Sequence, residues 1–151
     1  MSNTILSKYY TASYFLSAKF SNNNLSIFHL NIYSLQKHID ELRTLLMCTN
    51  SNFDVICISE TRLHNKVPLS NIKIDGYDFI HTLTLTQYGG SGMYIKNGIE
   101  YSILDKLTQS HKDICQSIFV ELKHPTKRNV IVWSIYRHHT TVKSFLVTFF
   151  R

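Results

Sequence analysis

The chain has 151 residues, 44% of them hydrophobic and 17% charged, with nine Phe, nine Tyr and one Trp, which is enough apolar material for the core of one domain and unlike a disordered or collagen-like polymer. Its 16 Lys+Arg against 10 Asp+Glu give a net charge of +6 and a pI of about 9.3, compatible with a phosphate-bearing partner, although the basic residues are scattered and never form a run. Three cysteines, Cys48, Cys57 and Cys115, without CxxC spacing argue against a disulfide framework and a zinc site, and point to a reducing, intracellular compartment, nuclear or cytoplasmic.

No apolar run approaches the ~18–20 residues of a membrane-spanning helix. The opening stretch is broken by Tyr, Thr and Ser and follows no basic segment, so it does not read as a signal peptide. Residues 1–23 are expected to be a leader, and residues 24–151 one domain.

Residues 25–32, rich in branched and aromatic side chains and bounded by turn formers, are predicted to form a strand. Residues 35–47 place Leu35, Ile39, Leu42, Leu45 and Leu46 at helical spacing, with Ser34 as the expected N-cap. Residues 53–59 form a short, nearly continuous apolar run, the pattern of a strand buried on both faces, with Cys57 as a small core residue. Strand, helix and strand in this order predict a βαβ unit with parallel pairing.

A loop containing Pro68 and Asp75-Gly76 then leads to a strand over residues 77–84. Residues 88–92, Tyr-Gly-Gly-Ser-Gly, read as a turn, residues 93–95 as a strand, and Asn97-Gly98 as a hairpin turn. Short strands follow over residues 100–104, 117–122 and 129–136, with a turn at 124–128. Phe145, Leu146 and Phe149 suggest a helix opening over residues 142–150. One complete helix cannot cover both faces of so strand-rich a chain, so a partner layer is expected to be missing.

Two residues stand out for chemistry. Asn31 falls at the carboxyl end of the first predicted strand and Glu60 at that of the second, the edge where open α/β sheets bind ligands. A carboxylate in oxygen-rich company suits a hard cation such as Mg²⁺, which keeps several waters and needs only one or two protein ligands. The plainer alternative is that Asn31 caps a turn and Glu60 is solvated. Four further candidates carry less. Adjacent His138 and His139 would point to opposite faces of a strand, so joint chelation is disfavoured. His29 shares the side of Asn31, either supporting the site or as a core histidine. Gly89-Gly-Ser-Gly92 opens a strand rather than a helix, which favours a tight turn over a phosphate cradle. Asp54 and Glu121 are read as structural.

Six segments occur together in order: Leu30-Asn-Ile-Tyr-Ser-Leu35, Phe53-Asp-Val-Ile-Cys-Ile-Ser-Glu-Thr61, Gly76-Tyr77, Gly89-Gly-Ser-Gly-Met-Tyr-Ile95, Ile118-Phe-Val-Glu-Leu122 and Ile135-Tyr-Arg137. In that order and spacing the chain resembles the endonuclease/exonuclease/phosphatase superfamily, and within it the apurinic-type endonuclease domain of non-LTR retrotransposons, over roughly residues 25–150. The resemblance implies an α/β fold, part of a four-layer α/β sandwich, mainly its first sheet and first helix. It implies Glu60 as the chief magnesium ligand, Asn31 at the metal or scissile phosphate, and Tyr136 positioning the phosphate. DNA is the implied partner, with a reverse transcriptase domain on the same chain of a full-length element.

The family's Gly-Asp-x-Asn and Ser-Asp-His motifs occur nowhere in these 151 residues. The chain also has Tyr136-Arg-His-His139 where the family favours Tyr-Arg-Pro-Pro, Tyr33 where many relatives carry Arg, and no basic residue before the Gly-rich turn. The expectation is the front half of an endonuclease domain with little turnover of its own. The alternatives are a non-catalytic DNA-binding remnant and a decayed open reading frame without function.

Overall fold

A computed structural model describes residues 11, 13, 15, 24–49, 52–84, 86–111 and 115–138. The expected helix over residues 142–150, His139 and most of the leader lie outside the described residues. Of the leader, Phe15 packs against the core and stacks on Phe28, ring centroids 6.1 Å apart.

The βαβ unit is present. Strand β1 (Ile27–Asn31) leads through helix α1 (Leu35–Cys48) to β2 (Val55–Ser59), and the strands pair in parallel with Asn31 opposite Ser59. Antiparallel β4 (Ser91–Lys96) adds to β2, and β3 (Tyr77–His81) to β4, giving a first sheet in the order β1-β2-β4-β3. The remaining strands, a simple run in the sequence, form a second sheet. Its centre is β7 (Cys115–Leu122), paired along its whole length with β8 (Val130–Arg137). The other edge of β7 is shared by β5 (Tyr101–Ile103) and β6 (Gln109–His111). The β6 segment, Gln-Ser-His, has no apolar alternation that would have predicted it.

Strand periodicity explains the layers. Every residue of β2 is buried because its two faces meet different partners. Ile56 and Ile58, with Tyr94 of β4, pack against Leu35, Ile39 and Leu42 of α1. Val55 and Cys57, with Met93 and Ile95, face Ile118, Val120 and Val132 of the second sheet. Each fully buried aliphatic chain contributes roughly 1.5–3 kcal/mol, so the two clusters hold helix, sheet and sheet as three stacked layers. Among the described residues no element covers the outer face of the second sheet, where Trp133 is 58% exposed and stacks on Phe119. No helix there is long and apolar enough to cross a membrane.

Ser34 does not cap α1 as expected, since its side chain makes no capping bond and its φ is 104°. The backbone does that work instead. Ser34 N–H donates to the Glu60 carbonyl at 2.8 Å and Leu35 N–H to that of Thr61 at 2.9 Å. The segment after β2 thus satisfies the start of the helix.

That segment is laced on its other side too. Thr61 and Arg62 N–H donate to the carbonyls of Gly90 (3.2 Å) and Gly89 (2.9 Å), and Thr84 N–H to that of Leu63 (2.8 Å). Both glycines sit at φ near +90°, and a Cβ on Gly90 would lie 2.2 Å from Thr61 Oγ1. Gly76 has a similar φ with nothing within 4 Å. Gly90→Ala is therefore expected to cost about 3 kcal/mol or more, adding collision to strain, against about 1 kcal/mol for Gly76→Ala. Urea unfolding of the two variants checks this, and equal losses would refute the lacing argument.

The packed layers also set the response to alkali. Burial pushes the Cys57 thiol up from 9.0 to about 11, and raises Cys115 and the phenols of Tyr77 and Tyr94. Because the folded chain holds these protons more tightly than the unfolded one, their contribution is full below the ordinary values of 9.0 and 10.0 and is lost as pH rises through the folded values. Melting temperatures should hold level from pH 7 to about pH 9 and fall beyond, as a thermal-scan series would record.

Candidate active site

All the site elements meet at one end of the sandwich: the carboxyl ends of β1, β2 and β8 and the amino ends of β4 and β7. Parallel pairing places Asn31 and Ser59 side by side, so the next residue, Glu60, emerges beside the Asn31 amide. Asn31 Nδ2 donates to Glu60 Oε1 at 2.9 Å, while its Oδ1 accepts from the Tyr33 N–H at 3.3 Å. Asn31 therefore does cap a turn and also orients the carboxylate. The solvated alternative for Glu60 does not hold, since its side chain is only 12% exposed.

The backbone here is strained in a localised way. Among the described residues, the non-glycine residues with positive φ are Tyr33, Ser34, Glu60 and Arg62, at 50°, 104°, 56° and 52°. Each such conformation costs of order 1–3 kcal/mol and persists only where the surroundings over-determine it. The lacing bonds are that over-determination.

Arg62, which sequence reasoning did not single out, completes the cluster. Its guanidinium lies 3.6 Å from the centroid of the Tyr33 ring and 5.0 Å from that of Tyr88, with Nη2 3.6 Å from Glu60 Oε2. The only signal in the sequence is its position two residues after Glu60. Tyr33 acquires a physical sense at this point, because a guanidinium from the neighbouring loop rests on its ring.

The second sheet contributes Tyr136 and Gln116, which lie opposite each other in the β7–β8 register. Gln116 is 1% exposed, and its Oε1 accepts from the Gly90 N–H at 2.6 Å, tying the glycine turn to the second sheet. Gln116 shares its strand face with Ile118, Val120 and Leu122, and an amide in that apolar alternation was the signal that went unused. The Tyr136 ring abuts Gly89, where a Cβ would lie 2.9 Å from ring carbon Cε1. Burial first, and then the negative charge of Glu60, raise the Tyr136 phenol, with Arg62 acting the other way, so the hydroxyl is kept as a donor. His138 meets the Tyr136 ring edge-on at 5.0 Å.

The other candidates fall outside. His29 is exposed, neither a core histidine nor hydrogen-bonded to Asn31 or Glu60. Gly89 and Gly90 lead into β4, which begins at Ser91, so the expected turn is shorter than residues 88–92. Asp54 holds Ser26 through two bonds of 2.9 Å, and Glu121 pairs with Lys123 and Asn129, both structural roles.

No family model matches the chain, and no curated protein does. Among solved structures it is similar to the AP endonuclease LMAP from Leishmania major, at 15% identity and a TM-score of 0.60, over 93% of this chain and 52% of that one. It is also similar to the 3′ phosphatase NExo from Neisseria, solved with product DNA hairpin, at 14% identity and a TM-score of 0.45, over 72% and 40%. The chain thus spans about half the length of the AP endonuclease. The likeness to that enzyme shows the fold alone: a partial α/β sandwich.

Proposed function

We propose that this chain is part of a magnesium-dependent DNA endonuclease domain of the kind carried by non-LTR retrotransposons, a phosphodiester hydrolase acting inside the cell. The observation that carries the reading is the Asn31–Glu60 hydrogen bond at the ends of two parallel strands, with Tyr136 delivered to the same spot by the other sheet. The confinement of backbone strain to that spot supports it, since strain is retained where function requires a fixed geometry.

The donor set fits the implied cation. One carboxylate and one amide are hard oxygen ligands, and among the described residues no group of three or more His, Cys, Asp or Glu is placed to hold a metal. Such a sparse set suits an ion that retains most of its water and does not suit zinc. Glu60 would hold Mg²⁺ through its carboxylate, and Asn31 would join it on turning its amide oxygen to the ion, since here Nδ2 faces Glu60 and Oδ1 accepts from the Tyr33 N–H. Bound there, Mg²⁺ supplies Lewis-acid stabilisation of the charge that gathers on the phosphoryl oxygens.

The chain's own residues supply positioning. Asn31 fixes the carboxylate through Nδ2, and Tyr136 offers a neutral O–H to a phosphate oxygen. Water activation is not provided for, because neither Gly-Asp-x-Asn nor Ser-Asp-His occurs in the sequence. Absence of a positioned acid–base group costs about 10²–10⁴-fold, so the 151-residue chain should turn over slowly. In a full-length element a reverse transcriptase domain would share the chain.

Two measurements on the 151-residue chain test this. Mg²⁺ should raise its melting temperature, and Glu60→Ala should abolish the rise. Slow nicking of supercoiled plasmid should require Mg²⁺ and disappear with the same substitution. Nicking that survives Glu60→Ala, or a melting temperature indifferent to Mg²⁺, would overturn the assignment.

A further inference from the structure

Arg62 brings an unsatisfied buried donor to the site. A guanidinium carries five N–H donors in a planar fork, and buried donors are ordinarily paired. The Nε of Arg62 is buried and has no hydrogen-bond partner among the described residues. The contact of Nη2 with Glu60, at 3.6 Å, is longer than a hydrogen bond. Yet the side chain is only 18% exposed, and its residue is held at a φ of 52° that L side chains rarely adopt. Strain and desolvation are thus both accepted to keep this cation in place, while its Nε donor remains unfilled.

The surroundings say what would fill them. Tyr33 and Tyr88 grip the guanidinium by cation–π contact, which holds the charge without consuming its hydrogen bonds. Both tyrosines are more than half exposed, so the stack lies at the surface beside Glu60. A planar donor fork flanked by exposed rings matches the oxygens of a phosphate.

We propose that Arg62 is a phosphate-contacting residue, whose guanidinium, held between Tyr33 and Tyr88, takes a non-bridging oxygen of a DNA backbone phosphodiester beside Glu60. The inference rests on the phosphodiesterase reading of this site and deepens it. Arg62 lets the site hold a strand at a point where Asn31 and Glu60 alone offer no positive charge. If Arg62 served only to hold Glu60, its loss would alter stability and leave DNA affinity unchanged.

The test is fluorescence anisotropy of a labelled DNA duplex with the 151-residue chain in Ca²⁺ buffer, from about 50 to about 200 mM salt. Arg62→Gln should weaken binding roughly tenfold and lower the slope of log affinity against log salt by about one phosphate contact. Arg62→Lys should keep the slope and recover only part of the affinity, since the charge returns without the fork. Unchanged affinity and slope in Arg62→Gln would overturn the proposal and leave the nuclease reading standing, whereas absence of DNA binding by the unaltered chain would overturn both. Competition by inorganic phosphate at constant ionic strength that abolishes duplex binding would reassign the contact to free phosphate and overturn the strand assignment. Should Arg62→Gln fail to fold, the Arg62 Nε–H resonance of the unaltered protein decides: a shift on adding duplex supports the contact, and no shift overturns it.

Discussion

The site depends on the backbone of one short segment, residues 60–63, being hydrogen-bonded on both sides. On one side its carbonyls receive the N–H groups that open α1, and on the other its N–H groups donate to the glycine turn that opens β4. A segment pinned in this way can hold two non-glycine residues in the left-handed region, and these are Glu60 and Arg62. Without the pinning both would relax to ordinary conformations, and their side chains would leave the Asn31 amide and the Tyr33 ring.

The three layers serve that arrangement. Apolar side chains fill both faces of the first sheet, whereas small polar residues gather where the sandwich approaches the site. Ser91 Oγ meets Ser134 Oγ at 2.7 Å across the two sheets, and Gln116 reaches the Gly90 N–H. Bonds between the sheets at this end fix the distance from Glu60 to Tyr136, which come from different sheets. Geometry at the site is therefore set by the packing of the whole sandwich and not by a local motif.

This division explains what the sequence disclosed. The βαβ unit was legible because β2 is apolar from Val55 to Ile58 and α1 shows Leu35, Ile39 and Leu42 at helical spacing. Asn31 and Glu60 followed from their places at strand ends. The split into two sheets was not legible, because short alternating strands look alike whichever sheet they join. β6 was hidden by its polar composition, and the capping role assigned to Ser34 failed because a tertiary backbone contact took over the helix start. Arg62 and Gln116 went unnoticed for a related reason: each acquires its role from a neighbour remote in sequence, Tyr88 for one and Gly90 for the other.

The face of the second sheet that no described element covers has an optical consequence. Trp133 is the sole tryptophan of the chain, lies on that face with one side against Phe119, and is 58% exposed to water. Intrinsic tryptophan emission thus reports on the solvent at one defined patch, away from the carboxylate and the tyrosine–arginine stack. A layer settling over the sheet would move the emission to shorter wavelength, while an ion or strand arriving at Glu60 would leave it close to its starting colour. The molecule carries its own lamp on the face that a further layer of an α/β sandwich would cover.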